Sequence, residues 1–86
     1  MHISVDLTFS PLQDNYETHI IDFIKRLRDS GFTIIENPLA TQIFGPYDQL
    51  MPFLQAEIKR SLEAIGIGLF TIKIVKTDRS DYEPHF

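Results

Sequence analysis

The sequence has no cysteine and no tryptophan, and only 4 glycines among 86 residues. Without cysteine there is neither a disulfide framework nor a thiolate metal site, and a reducing, cytoplasmic setting fits that absence. No Gly-rich phosphate loop is present; Gly45-Pro46 and Gly66-Ile67-Gly68 read as turns. Basic charge is also scarce, with 8 Lys and Arg against 12 Asp and Glu and a net charge of −4. A nucleic-acid-binding domain usually shows a basic stripe, whereas Lys25, Arg26 and Arg28 read as the solvated face of a helix. No apolar run approaches the roughly 20 residues of a membrane helix. The N-terminal "MHISVDLTF" lacks the basic and apolar regions of a signal peptide. The expectation is a cytoplasmic protein with no nucleic-acid partner and no membrane insertion.

What is present suits one small domain, since 43 % of the residues are hydrophobic. A chain of this size hides only roughly 60–65 % of its unfolded surface, so burying a further face in an oligomer would help it. Residues 2–9 place Ile3, Val5, Leu7 and Phe9 on one face and His2, Ser4, Asp6 and Thr8 on the other, the period of a half-buried strand that Pro11 ends. Asp14 followed by Glu17 has capping spacing. Tyr16, Ile20, Phe23, Ile24 and Leu27 then form one helical stripe, closed by Gly31. Residues 32–37 read as a second strand, Asn37-Pro38 as a turn and residues 40–45 as a third strand, making a hairpin. Leu50, Leu54, Ile58, Leu62 and Ile65 mark a second helix. Pro52 would cost it a hydrogen bond, which predicts a distorted start or a cap later than Asp48. Residues 69–76 form a fourth strand with Phe70, Ile72 and Ile74 on one face, followed by a polar tail.

The order β-α-β-β-α-β is that of an α+β ferredoxin-like sandwich, a four-stranded antiparallel sheet with two helices on one face. One domain over residues 1–80 is expected, with a polar C-terminal tail over 81–86. The other sheet face is left bare, carrying Ser4, Asp6 and Thr8 on strand one and Thr71, Lys73 and Val75 on strand four. With Thr41 and Ile43 inward, strand three adds Gln42 and Phe44, though a bulge would reverse that parity. Strand two offers either Thr33, Ile35 and Asn37 or Phe32, Ile34 and Glu36. Such a face suits a flat, polar, cationic heterocycle. Phe44 would stack, Asp6 would supply the countercharge, and Gln42 and the hydroxyls would orient the ring. The same residue types also suit a sheet-to-sheet dimer interface with no ligand.

Other chemistries lack a constellation. His2, His19 and His85 have no metal-ligand spacing, and Ser10, Ser30, Ser61 and Ser80 lack a nearby base. Acylphosphatases share this fold, but their basic, Gly-rich loop is replaced here by "SPLQDN". The basic-aromatic signature of an RNA-recognition strand is missing. No catalytic residue, metal or cofactor is expected.

Three segments carry a family resemblance: "NPLATQIFGPYDQLM", "IKIVKTDRS" and "IIDFIKRLRDSGFTI". Together they resemble the YkoF-type thiamin/hydroxymethylpyrimidine-binding family over roughly residues 3–80, most specifically in Thr41-Gln42-Ile43-Phe44-Gly45-x-Tyr47-Asp48. The resemblance implies a non-catalytic protein that associates through its sheets and binds thiamin or its pyrimidine precursor. Asp6 or Glu36 would face the thiazolium charge, Gln42, Thr41 and Asn37 the pyrimidine, and Phe44 either ring. Family members that bind ligand carry two such repeats, so this single copy would act as a homo-oligomer, a dimer or a dimer of dimers. Pro52 departs from the family pattern. The alternative is a ligand-free interaction or regulatory domain using the same face for assembly.

Overall fold

The computed structural model describes residues 1–86. Strand β1 (His2–Pro11) leads into helix α1 (Tyr16–Arg28), the hairpin β2 (Thr33–Asn37) and β3 (Ala40–Pro46), helix α2 (Tyr47–Glu63) and strand β4 (Gly68–Lys76). The sheet runs β2-β3-β1-β4 with every neighbouring pair antiparallel. This is the ferredoxin-like order. The period-2 row of β1 explains the layering: Ile3, Val5, Leu7 and Phe9 are all buried, and Phe23 and Leu27 of α1 and Leu50 and Leu54 of α2 join them in one core. Both helices therefore cover the same face. Each such side chain contributes about 1.5–3 kcal/mol on full burial.

Local chemistry adjusts several expected boundaries. β1 continues to Pro11, which pairs with Gly68, and the Leu12 N–H then donates to the Ile67 carbonyl at 2.9 Å. Asp14 does not cap α1. The N-cap is Asn15, and its side chain makes no capping bond because its carbonyl accepts from the Gln13 amide. Tyr16, the first member of the predicted stripe, is exposed. After α1 the chain reverses through Gly31 at φ 86°, a left-handed conformation that glycine adopts without a Cβ clash.

Gly45-Pro46 is no turn: β3 runs through it and α2 begins at Tyr47, whose N–H donates to the Met1 carbonyl at 2.8 Å. A Cβ at Gly45 would lie 2.7 Å from the Phe32 ring, so that ring occupies its side-chain space. Pro52 sits inside α2 and does not delay its start. It deprives the Asp48 carbonyl of a partner, which is tolerable because Asp48 is exposed to water. Leu62 is exposed while Ser61 is buried, because the Arg26 guanidinium reaches across from α1 to Ser61 Oγ at 2.6 Å and to Glu57 at 2.5 Å. The basic cluster is thus only partly solvated, and one member braces the two helices.

The helix-facing row of β4 is covered only at its start. Phe70 stacks on Phe9 at 4.4 Å and meets Phe23 edge-on, whereas Ile72 and Ile74 are 42 % and 47 % exposed. They border a groove of about 420 Å³ against α2, with β4 as an outer strand of the sheet. No helix is long and apolar enough to cross a membrane.

Candidate functional site

Strand registers decide which side chains share the bare face. Asp6 pairs with Gln42 on one side and Lys73 on the other, and Gln42 pairs with Ile35, so Ile35, Gln42, Asp6 and Lys73 form one row across all four strands. The next row is Thr33, Phe44, Ser4 and Val75 by the same pairings. Strand three accordingly has the expected parity, with Thr41 and Ile43 inward and Gln42 and Phe44 outward.

Two expected site residues belong elsewhere. Thr41 pairs with Leu7 and is buried on the helix side. Glu36 pairs with Thr41 on that same side, where Arg28 binds both of its oxygens at 2.6 and 2.7 Å. Hydrogen bonding from Arg28 holds the Glu36 carboxyl below its usual range and raises the Arg28 guanidinium in turn. Neither side chain is available to a ligand on the bare face. The alternation of β2 was symmetric enough to leave Glu36 open in the sequence, and pairing with β3 decides it.

Two more share the face but lie away from its centre. Thr8 donates to the Leu39 carbonyl at 3.2 Å, and Asn37 sits at the hairpin end opposite Ala40. Neither lines the cleft at the centre of the sheet, a space of about 390 Å³. That volume lies in the range of small-molecule sites.

Ser4, Asp6, Gln42 and Phe44 do come together there. Gln42 Nε2 donates to Asp6 Oδ1 at 3.2 Å, which fixes the orientation of both polar groups and leaves the Gln42 carbonyl oxygen free to accept. Phe44 is only 7 % exposed, so it acts as a wall of the cleft more than as an open stacking surface. Ser4 is committed to the protein itself. Its Oγ donates to the Thr77 carbonyl at 2.8 Å and accepts the Arg79 N–H at 2.9 Å.

Those two bonds reveal what sequence reasoning missed. The segment after β4 turns back at Thr77, whose φ of 131° is strained for a β-branched residue, and carries Arg79, Ser80 and Tyr82 over the bare face. The Thr77 N–H also donates to the His2 carbonyl at 3.0 Å, and the Ser80 N–H donates to Asp78 Oδ1 at 2.9 Å. The bonding from Ser80 keeps the Asp78 carboxyl below its ordinary value. Tyr82 is 56 % exposed and the Arg79 guanidinium lies 5.2 Å from its ring centroid. A polar tail with no hydrophobic period gives no sequence signal for such a return, although Ser4 on a face bordered by Val75 is the hydroxyl that receives it.

The cleft therefore has apolar walls from Ile35, Phe44 and Val75, a carboxylate–carboxamide pair on its floor, and two cations, Lys73 and Arg79. No three His, Asp or Glu side chains converge anywhere in the molecule in a way that could hold a metal ion.

No family model and no curated protein matches the chain. Solved structures do. A Streptococcus pneumoniae protein is similar at TM-score 0.83 and 22 % identity, with 91 % of this chain and 89 % of that one covered. A candidate thiamine biosynthesis/salvage protein of Thermotoga maritima is similar at TM-score 0.80 and 13 % identity over 90 % and 85 % of the two chains. A domain of unknown function (DUF77) from Bacillus cereus follows at TM-score 0.75 and 15 % identity over 90 % and 77 %. At such identities the likeness establishes the shared β-α-β-β-α-β fold.

Proposed function

We propose that the chain is a non-catalytic binding protein for thiamin or its hydroxymethylpyrimidine moiety, held in the cleft of the bare sheet face. The observation that carries this reading is the Asp6–Gln42 pair, fixed side by side on the cleft floor. An aminopyrimidine presents an amino donor next to a ring-nitrogen acceptor, and the free Gln42 carbonyl and remaining amide N–H complement that edge. Asp6 is the one carboxylate lining the cleft and would face the thiazolium charge. Ile35, Phe44 and Val75 would exclude water from the ring faces. The YkoF-type string around Gln42 and Phe44 supports the same ligand class, as does the name of the Thermotoga maritima neighbour. A cleft with one carboxylate, no carboxylate pair and no histidine in its lining supports binding over turnover.

A second reading, an assembly domain with no small ligand, is favoured by a different feature. Ile72 and Ile74 stay half-exposed along the outer strand β4, on the helix side of the sheet and away from the cleft. A second copy there would shield that strip, and a homo-oligomer is compatible with either reading.

Calorimetric titration of the purified protein with thiamin and with hydroxymethylpyrimidine tests the first reading. Saturable binding of both is expected, with Asp6→Asn weakening thiamin about tenfold and the neutral pyrimidine much less, a difference of about 1.4 kcal/mol. Absence of saturable heat for either ligand, together with concentration-dependent self-association, would transfer the assignment to assembly.

A further inference from the structure

We infer that the ligand of this cleft carries a phosphate group, bound by Lys73 and Arg79, so that the preferred form is a phosphate ester of the pyrimidine or of thiamin. This rests on the reading that the Asp6–Gln42 pair takes the ring.

The charge balance is the first argument. The chain is acidic overall, at −4, yet its central cleft has two cations against one carboxylate. Neither cation is neutralised within the protein: the two ion pairs of the molecule are Arg26–Glu57 and Arg28–Glu36, both remote from the cleft. Asp6 and Lys73 are direct cross-strand partners, yet Asp6 receives its hydrogen bond from Gln42 and forms no ion pair with Lys73. Asp78, the acid next to Arg79 in sequence, accepts from the Ser80 N–H instead of the guanidinium. An unphosphorylated pyrimidine would leave both cations without a counterion. A phosphate monoester, at roughly −1.5 to −2 near neutral pH, would supply one.

The second argument is that Arg79 is positioned by the fold. Ser4 Oγ holds its backbone N–H and also binds the carbonyl of the strained Thr77, so the return of the tail is locked on either side of Asp78. The guanidinium then rests against the Tyr82 ring, with the Ser80 side chain also lining the cleft. A guanidinium fork, an ammonium and neighbouring hydroxyls form a donor set suited to phosphate oxygens. Lys73 projects from β4 beside the ring-binding pair, so base and phosphate would be read from adjacent positions.

Binding of thiamin, thiamin monophosphate and inorganic phosphate should be compared calorimetrically for the wild type, Lys73→Met and Arg79→Met. The monophosphate should bind at least about tenfold more tightly than thiamin, as expected when charge-assisted hydrogen bonds are added. That gain, taken relative to each protein's own affinity for thiamin, should shrink in each variant, and it should decline with added salt. Inorganic phosphate should compete weakly with the monophosphate, because it lacks the ring. Equal affinity for thiamin and its monophosphate would overturn the inference and leave the thiamin reading standing. A gain that survives both substitutions would also overturn it. Inorganic phosphate binding as tightly as the ester would show an anion site independent of the ring, which likewise rejects it. Failure of all three compounds to bind would remove the ring-binding reading and this inference together.

Discussion

The Gln42 side-chain amide donates to the Asp6 carboxylate at 3.2 Å, and the two residues are direct partners across β3 and β1. A strand pair with one face bare thereby presents a carboxylate and a carboxamide in fixed relative orientation. Gln42→Leu keeps the approximate volume and removes both ring-facing functions. Hydroxymethylpyrimidine binding should weaken about tenfold or more, while stability stays within about 1 kcal/mol because the side chain is only half-buried. Calorimetry and urea unfolding of the same preparation check the two halves of this expectation.

Ser4→Ala tests the anchored tail. Ser4 is 8 % exposed and its hydroxyl serves both the Thr77 carbonyl and the Arg79 N–H. Losing it should cost about 1–3 kcal/mol, since a donor and an acceptor on the returning chain lose their partner. Amide hydrogen exchange at Arg79 should accelerate while protection in the centre of β1 falls only in step with global stability. Unchanged protection at Arg79 would mean that the return is held by other contacts.

Glu36 supplies a pH prediction. Its folded-state carboxyl lies below the ordinary value of 4.5 because Arg28 hydrogen-bonds it. The unfolded chain then binds a proton at a higher pH than the folded chain does. The resulting stabilisation is present above 4.5 and is lost as pH falls through the depressed folded value. Urea midpoints measured from neutral pH into the acid range should drop less steeply below 4.5 for Glu36→Gln than for the wild type. The pair is surface-exposed, so the difference should shrink at high salt.

Leu27 lies at the centre of the helix–sheet contact at 0 % exposure, in one cluster with Phe23, Ile43 and Leu50. Leu27→Ala should cost about 2–5 kcal/mol through lost burial and the cavity left behind. A domain of this size has roughly 4–13 kcal/mol in total. The variant should therefore melt at a markedly lower temperature and unfold at lower urea, readable by circular dichroism.

The order of elements, the inward row of β1 and the presence of both helices were legible because hydrophobic periodicity is written locally. Ile3, Val5, Leu7 and Phe9 state their face within eight residues, and Leu50 and Leu54 state theirs within one turn and a half. Boundaries were less legible where local signals compete. Asp14 has the spacing of a cap, but Gln13 and Asn15 bond each other instead. Pro52 argues against a helix that packing nevertheless carries through it.

The site divided along the same line. Asp6 and Ser4 could be assigned to one face from alternation alone, and the register of β3 with β1 and β2 then placed Gln42 and Phe44 beside them. Alternation could not remove Glu36, because β2 is short and mixed in character and only its register with β3 selects a face. Thr41 entered the site only through the family resemblance, since the parity expected for β3 already turned it inward. Nor could it bring Arg79, Ser80 and Tyr82 over that face, since they return through two hydrogen bonds to Ser4 from more than 70 residues away. Period and propensity act between neighbours in the chain. Arg79 is set over this cleft by contacts between the two ends of the chain, and only the folded sheet brings those ends together.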